Sequence, residues 1–134
     1  MKRVHLDANV VLRFLRDDDP RQSPAARRLI GEAKAGRVLL LLSVVTVTEI
    51  FYALRASYKL PRAETAGLLQ DLMRSGVFAV EHEARLHEAL GRVRSANVDL
   101  GDAWLAATAA EAGEPVATFD EDFAAFPDVT RHAW

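Results

Sequence analysis

Short β-rich apolar runs at residues 4–6, 37–42, 77–80 and 115–119 alternate with longer stretches in which apolar residues recur every three or four positions. A two-residue period and a 3.6-residue period belong to different elements, so the chain must switch repeatedly between strand and helix. Strands separated by helices pair in parallel, because a parallel pair needs a long crossover. The pattern predicts an α/β fold: a three-layer α/β/α sandwich around a central parallel sheet, with helix pairs in two crossovers. Over 134 residues there is no linker, repeat or low-complexity stretch, and one domain spanning residues 1–134 is expected.

Local signals give the order of elements. Val10, Val11, Phe14 and Leu15 recur at helical spacing after the first strand, and Asp17-Asp18-Asp19-Pro20 stops that helix. Asp19 or Ser23 caps a second helix running to about residue 35, where Gly36 ends it. The apolar run 38–45 is far shorter than the roughly 20 residues of a membrane helix, and reads as a fully buried strand entering a helix at 44–57. Pro61 opens the next helix and Gly76 closes it. Further helices are expected at 84–96 and 102–112, the second rich in alanine and ended by Gly113. Residues 115–119 should form the fourth strand, 122–126 a short helix and 129–134 an edge strand.

Composition removes several classes of function. Half the residues are hydrophobic and 27% are charged, which excludes a disordered chain. The formal net charge of −2 provides no overall positive field for nucleic acid, so any such partner must be met by local cations. Without cysteine there are no disulfides, thiolate metal sites or thiol nucleophiles. The opening MKRVHLDANV lacks the apolar core of a secretory signal, so a cytoplasmic location is expected. The seven glycines form no dinucleotide or phosphate-loop fingerprint, and His82 and His87, five apart, fall on different helix faces.

What remains is acidic. Asp7, Glu49, Asp102 and Asp120 each fall where a strand stops or the following helix begins, positions that share one edge of a parallel sheet. Singly, each has a commonplace explanation. Asp7 suits a helix N-cap. Thr46-Val47-Thr48-Glu49 has the pattern of a capping box, Asp99 and Asp102 suit the start of a helix, and Asp120 or Asp122 suits a turn. Glu49 is nevertheless the only acid in a long apolar stretch, where a buried carboxylate requires a partner. Jointly, converging carboxylates repel one another unless a cation holds them, and Mg²⁺ and Mn²⁺ take oxygen ligands. The four acids point to metal-dependent chemistry on phosphate. Arg13 and Arg16, one turn apart, are candidate cations on the rim for binding phosphate.

The order and spacing of these segments resemble a known family. HLDANVVLRFLRDDDPRQSPAA, VVTVTEIFYAL, ANVDLGDAWLAATAAEAG and PVATFDEDF are similar, in sequence order, to the four motifs of PIN-domain ribonucleases of the VapC toxin type. The resemblance covers essentially the whole chain. It departs at Ala8, where the family often has threonine or serine. It implies an Mg²⁺- or Mn²⁺-dependent endoribonuclease in which a metal-activated water hydrolyses an RNA phosphodiester. Asp7 and Asp102 rank first as direct ligands, followed by Glu49 and then Asp120. It further implies a homodimer and a small VapB-type antitoxin, the toxin being one half of a toxin–antitoxin module.

Two other phosphate-handling classes fit less well. A phosphoacceptor signalling domain expects adjacent acids after the first strand and a lysine after the last, whereas this chain has Asp7 alone and no lysine beyond Lys59. A phosphatase with an Asp-x-Asp nucleophile lacks its second acid in Asp7-Ala8-Asn9. The serious alternative is a non-catalytic RNA-binding or scaffolding domain of the same fold.

Overall fold

Residues 1–134 are described by a computed structural model, in which β1 (Lys2–His5) leads through α1 (Ala8–Arg16) and α2 (Gln22–Lys34) to β2 (Val38–Leu42). From β2 the chain passes through α3 (Val44–Ala56) and α4 (Arg62–Arg74) to β3 (Phe78–Val80). It continues as α5 (Glu83–Ala96), α6 (Leu100–Ala112) and a 3₁₀ turn, Glu121–Ala125. The sheet is parallel with order β1-β2-β3. Lys2 to His5 lie beside Val38 to Leu41, and Leu40 to Leu42 beside Phe78 to Val80. This is the α/β class with a parallel sheet and helix pairs in the crossovers that the alternation of periods predicts. No helix is long and apolar enough to cross a membrane.

The sheet is smaller than expected. Residues 115–119 do not join it; Val116 instead makes one isolated parallel bridge with Arg131, so the predicted fourth and edge strands meet each other. Pro115 has no N–H to give a ladder, and Thr118 Oγ1 accepts from the Asp120 N–H at 2.9 Å, turning the chain before a strand can lengthen. β2 also departs from a fully buried strand. Leu40 and Leu42 are buried while Leu39 and Leu41 are half-buried, and Leu41, with Arg3, His5 and Ala79, lines a shallow cavity of about 300 Å³.

The core explains the helix faces. Phe51, Ile50 and Leu54 of α3 pack with Leu69 and Met73 of α4, Leu86 and Leu90 of α5, and Ala103, Ala106 and Ala107 of α6. Small alanines allow α5 and α6 close approach, which is why α6 is alanine-rich on its buried side. Helix ends use the expected devices. Asp17 takes a left-handed conformation after α1, and Gly113 does the same after α6. Asp19 Oδ1 accepts from the Arg21 and Gln22 N–H groups at the start of α2, whose N-cap is Arg21, while Ser23 lies inside the first turn and its Oγ accepts from the Asp19 N–H.

Candidate active site

β1 delivers the first acid. The Leu6 N–H donates to the Leu41 carbonyl at 3.0 Å, carrying the β1–β2 ladder one residue beyond the strand. Asp7 then stands at the N-cap of α1 with extended backbone, yet its side chain makes no capping hydrogen bond. The carboxylate is exposed and left available. Asp7 and Asn9 open onto a cavity of about 440 Å³ between α1 and α2, which Arg13, Gln22 and Leu29 also line. Ala8 is buried in the first turn.

β2 delivers the second. Ser43, at the end of β2, caps α3 by accepting from the Thr46 N–H at 3.1 Å, and Glu81 Oε1 accepts from the Val44 N–H at 3.2 Å. The expected capping box, with Glu49 reaching back to Thr46, is therefore not formed: α3 starts three residues earlier and Glu49 lies in its second turn. Glu49 is also exposed rather than buried, because the apolar residues around it in sequence, Val47, Ile50 and Phe51, turn to the core on the other side of the helix. Thr46, Glu49 and Tyr52 follow one another at three-residue spacing along one face. Thr46 Oγ1 donates to the Leu6 carbonyl at 3.5 Å, beside Asp7, and the Tyr52 hydroxyl accepts from the Gly101 N–H at 3.3 Å, beside Asp102. Glu49 thus sits between contacts that tie α3 to both neighbouring acid positions.

The third and fourth acids share a field. Asp102 is half-buried in the first turn of α6, and its pKa is raised by burial first, then by Asp120, Asp99 and Asp122, with Arg62 opposing. Asp99 was expected to cap α6. It occupies the N-cap but spends Oδ1 on Arg62 Nε at 2.9 Å, since Arg62 reaches across from the start of α4 and also donates to the Asn97 carbonyl at 3.0 Å. Asp120 Oδ1 accepts from the Asp122 N–H at 2.9 Å, the commonplace turn role, while Oδ2 has no partner.

Asp120, Asp99 and Asp122 thus lie near enough to Asp102 for their charge to act on it. Asp7 stands at the N-cap of α1 and Glu49 in the second turn of α3, and no three acid or histidine side chains are drawn into a metal-sized group. The donor chemistry still suits a hard divalent ion: every candidate is a carboxylate, and Asp102 lies among like charges with Arg62 opposing them. The rim cations differ from expectation. Arg13 is engaged, donating to Gln22 Oε1, to both Asp18 oxygens and to the Tyr58 hydroxyl, so it braces α1 rather than facing solvent freely. Arg16 is exposed and lies over the Tyr58 ring at 5.1 Å, with no carboxylate partner.

Sequence reasoning missed Arg62 and Tyr52. Arg62 had no signal, as its partners lie 35 and 37 residues away. Tyr52 carried one: it follows Glu49 by three and is polar-tipped within an apolar helix. Trp104 is half-buried between His82 and Arg85, whereas Phe51 is wholly core.

No curated protein and no solved structure matches the chain significantly. A family model described as PIN domain matches residues 4–129, from the second half of β1 through every helix to the segment carrying Asp120. PIN domains are generally nucleases that bind RNA and use a divalent metal. With the parallel sheet and the helix pairs already in place, the match over nearly the whole chain shows that it belongs to the PIN domain family.

Proposed function

We propose that the chain is an Mg²⁺- or Mn²⁺-dependent endoribonuclease of the VapC type, the toxin of a toxin–antitoxin module, and that residues 1–134 act as one PIN domain. The observation that carries this reading is Asp102, a half-buried carboxylate whose pKa is raised by burial first and then by Asp120, Asp99 and Asp122 around it. Excess negative charge of this kind is relieved by a cation. Asp7 and Asp102 are the residues to hold the ion directly, with Glu49 and then Asp120 as further ligands. When bound, such an ion lowers the pKa of water and neutralises charge developing on the phosphoryl oxygens.

The chain's own residues supply position. Ser43 and Glu81 fix the start of α3 and hence Glu49. Tyr52 ties α3 to the turn that carries Asp102, and the Asx turn at Asp120 immobilises one oxygen while leaving the other available. Of the two candidate cations on α1, Arg16 is the one without a carboxylate partner and free to meet a backbone phosphate, since Arg13 is already occupied. Val45, Tyr52 and Leu105 are exposed on α3 and α6 beside Glu49 and Asp102, which supports an apolar partner surface at the site, for an antitoxin or a second copy.

The decisive experiment incubates the purified protein with total RNA, with and without EDTA, alongside Asp7→Asn and Asp102→Asn. Cleavage by the wild type that EDTA and either substitution abolish is expected; cleavage surviving both overturns the metal mechanism. RNA binding retained by all three proteins, with no Mg²⁺-dependent cleavage by the wild type, identifies the non-catalytic alternative. For the toxin role, expression should arrest growth and Asp7→Asn should relieve the arrest. Normal growth with both soluble proteins removes that role.

A further inference from the structure

Phe119 and Trp134 are 85% and 76% exposed, yet their rings are stacked, with centroids 4.7 Å apart and planes 14° from parallel. The His132 ring meets Trp134 edge-on at 5.0 Å. The backbone sets this arrangement. The Val116 N–H donates to the Thr130 carbonyl and the His132 N–H to the Val116 carbonyl, each at 2.8 Å, pairing Val116 with Arg131 in parallel. Phe119 and Trp134 each follow that bridge by three residues, and their rings meet there although the ladder itself does not continue. A second tie, from Arg131 to Glu121 at 3.0 Å, fastens the tail to the 3₁₀ turn that Asp120 caps. The aromatic pair is thereby held next to Asp120, its immediate neighbour in sequence.

We propose that the Phe119–Trp134 stack is a platform on which an unpaired base of single-stranded RNA stacks beside Asp120; this rests on reading the chain as an RNA-cutting enzyme. Asp120, Glu121 and Asp122 repel backbone phosphate, so affinity at this end of the site must come from a part of the substrate that carries no charge. A base is that part: it is flat, neutral and matched to an open aromatic stack, and every base offers a π face. In an RNA duplex the bases are already stacked on one another, so the platform selects single strands.

The test uses the full chain in EDTA, which suppresses cleavage, and a fluorescein-labelled single-stranded RNA of about 10 nucleotides, within the site sizes of single-strand binders. F119A/W134A should bind it about 10-fold or more weakly than the wild type, as expected when base–aromatic stacking is lost. F119L/W134L, which keeps apolar bulk without aromatic faces, should lose similarly. An abasic strand should bind all three proteins equally. The chain has two tryptophans, so in a Trp104→Phe background the emission of Trp134 should be quenched by the single strand and not by its duplex. Unchanged affinity in F119A/W134A, an equal loss on the abasic strand, or no RNA binding by the wild type overturns the proposal. So does a dimer by sedimentation that these substitutions dissociate without changing RNA affinity, which would make the stack a protein contact. Cleavage is measured separately with Mg²⁺. Stack-dependent binding without cleavage defeats the nuclease reading and spares the platform, while cleavage with stack-independent binding does the reverse.

Discussion

The Tyr52 hydroxyl accepts a hydrogen bond from the Gly101 N–H at 3.3 Å, joining the middle of α3 to the first turn of α6. One bond therefore links the helix that carries Glu49 to the residue next to Asp102. Tyr52→Phe removes the acceptor and leaves the ring, half of a T-shaped pair with Phe51 at 5.2 Å, in place. Urea unfolding should show a loss of about 1 kcal/mol or less, the usual net worth of such a bond. The turnover of RNA cleavage should fall several-fold while RNA affinity measured in EDTA holds. A loss confined to stability would mean that Tyr52 does not position Asp102.

Ser43 is the side chain on which the start of α3 depends. Ser43→Ala deletes the bond to the Thr46 N–H and the contact between Ser43 Oγ and Thr46 Oγ1. Chemical denaturation should register a destabilisation of about 1 kcal/mol, typical for loss of an N-cap, and Ser43→Asp should recover most of it. If Ser43→Ala is neutral, the Glu81 carboxylate that accepts from Val44 is sufficient to cap the helix by itself.

Asp102 is held in a form that folding disfavours. Its folded-state pKa lies above the ordinary aspartate value, so at neutral pH the charged carboxylate subtracts from stability. As pH falls through the raised folded pKa toward the unfolded one, the group protonates more readily in the folded state, and the penalty disappears. Asp102→Asn should therefore be more stable than the wild type at neutral pH, by roughly 1 kcal/mol or less given its solvent exposure. The difference should vanish below the aspartate reference value of about 3.9. Added Mg²⁺ should raise the thermal midpoint of the wild type and leave that of Asp102→Asn unmoved. A wild type more stable than the variant at neutral pH would contradict the electrostatic account.

Asp120 has two separable roles. Asparagine retains the oxygen that accepts from the Asp122 N–H, whereas alanine does not. Asp120→Asn should keep wild-type stability and lose part of its metal-dependent cleavage, and Asp120→Ala should lose in addition about 1 kcal/mol of stability. Full activity in Asp120→Asn would transfer the fourth ligand role to Asp122.

The difference between what was legible and what was not follows the range of the forces involved. Strand and helix periods, Gly113 and Asp17 as helix ends, and the Asp19–Ser23 start of α2 are local patterns, set by residues within one turn of each other. The sequence alone was enough to predict the α/β class, the order of most elements and the placing of Asp7 and Asp102 at helix starts. Tertiary structure decided which acids share a field. Arg62 takes Asp99 away from its capping task from 37 residues off, and Asp120 acts on Asp102 from a segment that fails to join the sheet. It also decided that Glu49 is exposed, because burial depends on which side of α3 the core occupies and not on how apolar its sequence neighbours are. Electrostatic and packing partners are chosen across space, and a one-dimensional pattern records only the positions from which they are drawn.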